Sequence, residues 1–200
     1  MPTARNAGLA DYRRKRDFTR TPEPAPRARV ADERDGWFVI QQHAASTMHW
    51  DFRLAIDGVL VSWAVPKGPS TDPREKRLAV RTEDHPLAYA DFEGVIPEGA
   101  YGAGTVIVWD RGRYRNLLAN KDEPKTMAES LAAGHIEVGL AGRKLRGGWA
   151  LIHARLGRSD ANWLLVKMGD EFADARRNPV SAQPRLVKTG RTLAQVRRAG

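Results

Sequence analysis

What most constrains this chain is the way it is punctuated. From Trp37 onward, short runs rich in β-branched and aromatic residues alternate with Gly, Pro and Asp turns: "WFVIQQH", "HWDFRLAI", "VLVSWAV", "RLAVRT", "GTVIVWD", "GRYRN", "HIEVGL", "RKLRGGWALIHARL" and "NWLLVKM". That pattern predicts about nine strands, and one stretch, "TMAESLAA", reads as a helix. Asp57-Gly58 between two alternating runs predicts a type I′ hairpin, and "WDRGRY" predicts a second tight reversal. No internal repeat is visible. The expected class is all-β: a compact single-domain β-barrel with short helices, a strongly bent sandwich being the other arrangement of such runs.

Charge divides the chain into three parts. Residues 1–29 carry 8 Lys/Arg and 3 Asp/Glu, residues 173–200 carry 7 and 1, and the middle carries 18 and 20. The expected organisation is a basic N-terminal arm over 1–29, a barrel over 30–172 and a basic C-terminal tail over 173–200. Basic, aromatic-poor ends suit a polyanion, nucleic acid first, and solvated tails would have the same composition. No apolar run reaches the roughly 20 residues that span a bilayer, and no secretion signal opens the chain, so the expected setting is the cytoplasm. With no cysteine in the chain, any metal must be held by His and carboxylate.

The hairpin "HAASTMHWDFRL" concentrates the chemistry. Period-two alternation sends Trp50, Phe52, Leu54 and Ile56 to one face and His49, Asp51 and Arg53 to the other, each about 6.6 to 6.8 Å from the next. The short loop "AASTM" returns the chain antiparallel and sets His43 beside His49. Two imidazoles and a carboxylate at that spacing suit Mn²⁺, Fe²⁺ or Zn²⁺ better than Mg²⁺. Arg53, one step along, has a guanidinium fork suited to phosphate. A solvated charged stripe would carry similar residues. Further on, "TEDHPLAY" contributes His85 and Tyr89, "PKGP" contributes Lys67 in a turn, and "REKRLAVRT" contributes Arg77 and Arg81. The glycines of "PEGAYGAGT" lack the context of a nucleotide-binding loop and read as a bend between strands.

Taken together, "QQHAASTMHWDFRL", "SWAVPKGPS", "TEDHPLAYADFEGVIPEGAYGAGTVIVWDRG" and "NWLLVKM" resemble the 3′-phosphoesterase domain of bacterial ATP-dependent DNA ligase D, from about Tyr12 to Met168. The resemblance implies a β-barrel with a site that prefers Mn²⁺, other divalent transition metals being alternatives. It also implies DNA repair by non-homologous end joining: a terminal ribonucleoside is removed from a DNA 3′ end, then the remaining 3′-phosphate. Its substrates would be primer-templates ending in a ribonucleotide or a 3′-phosphate, in a prokaryotic, nucleoid-associated setting, with a DNA ligase or repair polymerase as partner. By the same resemblance His43, His49 and Asp51 are metal ligands; Arg53, His85 and Tyr89 are catalytic; Arg53, Lys67, Arg77 and His85 contact phosphate. Arg16, Asp17, Glu23 and Glu83 support the site, which orders part of the first arm near it. No ligation chemistry is encoded: the nearest match to a Lys-x-Asp-Gly motif, "AIDG", has Ala55 in place of the lysine. A stand-alone enzyme and an excised module both fit.

Two other classes compete. A non-haem Fe(II) oxygenase would use "HWD" with His153 and Arg155 as distal partners, and leaves His43 and the cationic set unexplained. A non-catalytic nucleic-acid-binding module would use the six tryptophans as stacking platforms, although most lie in apolar runs expected to be core.

Overall fold

The computed structural model describes residues 9–26, 36–154, 159–185 and 187–199. Ten strands follow in order: β1 (Trp37–Ala44), β2 (Met48–Ile56), β3 (Val59–Val65), β4 (Lys76–Arg81), β5 (His85–Pro86), β6 (Gly94–Ile96), β7 (Gly104–Asn116), β8 (His135–Gly142), β9 (Arg146–His153) and β10 (Asn162–Lys167). The ladder β1-β2-β3-β4-β10-β9-β8-β7 is antiparallel throughout, and β7 pairs back onto β1, closing an eight-stranded barrel. The short β6 pairs with the start of β7, and β5 lies on β3. Helices are short: α1 (Ala10–Arg14), α2 (Met127–Ala132), α3 (Pro179–Ala182) and α4 (Leu193–Ala199), with a 3-10 helix at Leu87–Asp91. None of the described helices is long and apolar enough to cross a membrane.

Two of the expected turns have different outcomes. At the β2–β3 hairpin both central residues take positive φ, Asp57 at 47° and Gly58 at 77°, as a type I′ turn requires. "WDRGRY" instead runs straight through β7, a strand of 13 residues. Its register against β1 slips between Ile40 and Gln41, leaving Trp109 as a bulge. The Asp110 carboxylate accepts backbone N–H groups from Arg143, Lys144 and Leu145, and a Cβ on Gly112 would collide with the Ala141 carbonyl. The Asp and Gly therefore serve a bulge and a close strand approach. The predicted helix "TMAESLAA" forms as α2 behind a Thr126–Glu129 capping box.

Alternation along β2 decides which side of the wall can carry chemistry. Trp50, Phe52, Leu54 and Ile56 face the interior with Trp63, Trp109, Trp149 and Trp163, and together they fill it. Each indole removes roughly 150–250 Å² from water, about 4 to 6 kcal/mol before entropy and as an upper bound. Five tryptophans are buried; Trp37 stays at the surface under the Arg113 guanidinium. With the interior filled by side chains, the polar face of β2 lies on the outside of the barrel. A second apolar cluster, Tyr12, Val39, Ala55, Leu60, Tyr89 and Val108, covers that outer face. It is roofed by the N-terminal segment and the 3-10 helix.

The C-terminal segment is likewise held against the barrel. Gln183 offers its carbonyl to Trp109 Nε1–H (2.9 Å) and Lys144 Nζ (2.7 Å), and Val196 packs with Ile107. Buried donors on the barrel wall need acceptors, and the tail's backbone supplies them.

Candidate active site

The β1–β2 register sets His43 opposite His49 and Gln41 opposite Asp51, so all four sit on the outer face of adjacent strands. The imidazole centroids are 4.7 Å apart, and one ligand atom from each of His43, His49 and Asp51 lies within 4.8 Å of the other two. His43 Nε2 is 2.9 Å from the Gly102 carbonyl, and His49 Nδ1 is 2.9 Å from the Thr47 carbonyl. Each carbonyl can only accept, so those nitrogens carry the protons, and the other two hold lone pairs. The lone pairs, on His43 Nδ1 and His49 Nε2, lie 3.8 and 3.7 Å from the Asp51 carboxylate. Hydrogen bonds to the far nitrogen are what fix metal-binding imidazoles. The donor set fits a divalent transition metal. The bend that supplies Gly102 is held by Gly104, whose φ of 142° and contact with the Ala44 carbonyl exclude a side chain.

Beside this cluster lies a cationic one. Arg53, 2% exposed, donates Nε–H to Gln41 Oε1 (2.8 Å), Nη1–H to Ser62 Oγ (2.8 Å) and Nη2–H to Asp51 Oδ2 (3.0 Å). Burial pushes the Asp51 carboxyl up, the Arg53 guanidinium beside it pulls it down, and the net direction is well below the usual carboxylate range. Arg53 Nη1 also lies 2.9 Å from His85 Nδ1, while Arg16 Nη2 lies 3.4 Å from His85 Nε2. Burial, then Arg53 and Arg16, push the His85 pKa well below the ordinary imidazole value. The ring is therefore neutral. Its Nδ1 is also 2.9 Å from the Glu83 carbonyl. It accepts from Arg53 when unprotonated and can donate to Glu83 only when it carries a proton. Tyr89 packs edge-on to His85 and under Arg53, with its pKa raised chiefly by burial.

The N-terminal segment completes the wall. Tyr12 is fully buried, donates to the Pro24 carbonyl (2.9 Å) and packs against His85. Arg16 is clamped between Glu23 (2.9 Å) and Glu83 (3.1 Å). Burial raises the Glu83 carboxyl, and a backbone hydrogen bond, Lys15 and Arg16 reverse the shift, so that its net direction is down.

Among the residues expected at the site, His43, His49, Asp51, Arg53, His85, Tyr89, Arg16, Glu23 and Glu83 form one connected group. Asp17 is different: it is exposed and accepts from Thr19. Lys67 is exposed in the turn past Val65, whose partner across the ladder is Trp50. Arg77 shares the inward face of β4 with Ala79 and pairs with Glu75 at 2.6 Å, so it stands on the other face of the barrel wall. Tyr12, Gln41 and Ser62 were not anticipated. Alternation had placed Gln41 on the His43 face, which was a usable signal; Tyr12 had none. His153 sits on β9 against Trp163 and the Asp160 carbonyl, and Arg155 lies outside the described residues. Among the described residues, His43, His49 and Asp51 are the one group that could hold a metal.

Residues 41–153 match the family described as DNA Ligase D 3'-phosphoesterase domain. The chain is 49% identical over 196 residues to the "Multifunctional non-homologous end joining protein LigD" of Pseudomonas aeruginosa, covering 96% of this chain and 22% of that protein. It is 45% identical over 163 residues to the "Multifunctional non-homologous end joining DNA repair protein LigD" of Mycobacterium tuberculosis, covering 82% of this chain and 20% of that protein. The Mycolicibacterium smegmatis relative is 42% identical over 182 residues, covering 91% and 23%. The chain thus spans about a fifth of the length of the curated relatives it matches.

Proposed function

This chain belongs to the DNA ligase D 3′-phosphoesterase domain family, and from that membership we propose that it is a Mn²⁺-dependent phosphoesterase that heals DNA 3′ ends in end joining. It removes a 3′-terminal ribonucleoside by phosphodiester cleavage and then the 3′-phosphate, leaving a hydroxyl for a ligase or polymerase. The observation that carries this reading is the junction at Asp51. One oxygen lies near the His49 lone pair, and the other takes Arg53, the guanidinium that also touches His85. A site for a cation and a site for an anion share a carboxylate.

When bound at His43, His49 and Asp51, a divalent ion supplies Lewis-acid polarisation of a phosphate oxygen. Imidazole with carboxylate suits Mn²⁺, with other divalent transition ions as alternatives. Arg53 is already aimed, because Gln41, Ser62 and Asp51 hold three of its five N–H groups, so little reorganisation accompanies the developing charge. Arg16, fixed by two carboxylates, faces the same imidazole from the other side.

His85 is the proton carrier. Burial and two guanidiniums hold it neutral, and phosphate bound against the guanidiniums offsets their field and raises its proton affinity. Protonated, it can donate Nδ1–H to Glu83 and retain a second N–H for the leaving oxygen. Lys67, exposed in the turn past Val65, acts further out, on the DNA strand leading to the reacting end. The test is end-labelled DNA bearing a 3′-phosphate or a terminal ribonucleotide, incubated with Mn²⁺ and resolved on a gel. Metal-dependent conversion to a 3′-hydroxyl end is expected; DNA binding without trimming would sink the reading.

A further inference from the structure

The N-terminal segment and the bend between β6 and β7 enclose a pocket of about 150 Å³, a volume that elsewhere admits one benzene-sized ring. It shares walls with the active site on two sides. Arg16 lines it and also meets His85. Tyr101 and Ala100 line it next to Gly102, whose carbonyl holds His43.

Its chemistry is not that of a phosphate site. Three cations, Lys15, Arg16 and Arg20, are matched by three carboxylates, Asp17, Glu23 and Glu98. A wall with no net charge, crowded with donors and acceptors, suits a neutral polyhydroxyl group. Tyr101 adds a flat apolar plate, 49% exposed, held in place by Lys15 through its hydroxyl (3.1 Å) and its ring face (4.6 Å). With room for one ring between two segments, the pocket fits a chain end rather than a continuing strand.

Resting on the proposed function, we propose that this pocket receives the sugar of the nucleoside that departs in phosphodiester cleavage, and that Tyr101 sets the preference for it. In that step water adds its oxygen to phosphorus, the bond from phosphorus to the nucleoside 5′ oxygen breaks, and that oxygen takes up a proton. The nucleoside leaves with a hydroxyl, and the phosphate stays on the strand. The second substrate, a bare 3′-phosphate, has no sugar beyond phosphorus and leaves the pocket unused.

The two reactions of the full chain with Mn²⁺ therefore form an internal control. On end-labelled DNA ending in a ribonucleotide or in a 3′-phosphate, Tyr101→Ala should lower the ratio of the two kcat/KM values at least fivefold. The loss should fall in KM for ribonucleoside removal. Tyr101→Phe, which keeps the plate, should hold the ratio within twofold of wild type. An unchanged ratio in Tyr101→Ala, whether both reactions fall together or neither moves, overturns the assignment. Wild-type protein that acts on neither end overturns the proposed function itself and this inference with it.

Discussion

Gln41 Oε1 accepts the Nε–H of Arg53 at 2.8 Å. The same amide donates through Nε2 to the carbonyls of Tyr89 (2.9 Å) and Phe92 (3.0 Å). One buried side chain thus aims the guanidinium and anchors the segment that carries Tyr89 over it.

Gln41→Ala removes a hydrogen bond to a charged group, worth about 1.5–3 kcal/mol. Turnover should fall roughly 10- to 100-fold, with Mn²⁺ affinity nearly unchanged because His43, His49 and Asp51 are untouched. Single-turnover kinetics beside a calorimetric Mn²⁺ titration would check it. An equal loss of metal affinity would show that Gln41 supports the ligands instead.

Asp51→Ala and His85→Ala should separate metal holding from proton handling. The first removes the carboxylate of the proposed metal site and should cut Mn²⁺ affinity and activity together. The second should retain Mn²⁺, by electron paramagnetic resonance, yet lose turnover by about 10² to 10³. Normal Mn²⁺ binding in Asp51→Ala would put the metal elsewhere.

Much of this hairpin was legible because it is local. Alternation along β2 fixes which side chains share a face, and a short loop fixes His43 against His49. The roof was not legible by such means. Arg16 reaches Glu83 across 67 residues of sequence, a contact created only when the closed barrel turns this face outward. Its place at the site came from family resemblance alone. "WDRGRY" was misread because Gly serves a turn and a tight strand approach equally well, and only the neighbour at Ala141 distinguishes them. Arg77 fell on the inward face by the same alternation that makes Ala79 core.

Acid should weaken the fold in two stages. His85 binds its proton less readily folded than unfolded, where the pKa is about 6.5. Above that value neither state is protonated and its contribution is level. Below it the unfolded ring takes a proton that the folded ring refuses, so stability falls by up to about 1.4 kcal/mol per pH unit. Asp51, depressed in the fold, adds its loss only as pH drops below about 4. Denaturant midpoints between pH 5 and 6.5 should flatten in His85→Gln; an unaltered slope would place the proton uptake on another group.

The C-terminal segment should prove structural. Truncation after Met168 strips acceptors from Trp109 and Lys144, two buried donors, at about 1–3 kcal/mol each. Burial, opposed by Asp110, lowers the Lys144 pKa from 10.5 to about 8. The unfolded lysine therefore binds the extra proton between those values, and stability should rise as pH climbs through that window. Lys144→Met should abolish the rise, seen in chemical denaturation; a rise that persists would assign it elsewhere.

The return of β7 onto β1 has a consequence for how the chain behaves among its own copies. A sheet that closes on itself offers no long row of unsatisfied N–H and C=O groups to a neighbour. Among the described strands, only the three residues of β6 and the two of β5 lie off the closed ring. Templated strand addition, the usual route from an exposed sheet to fibrils, has almost nothing to start from.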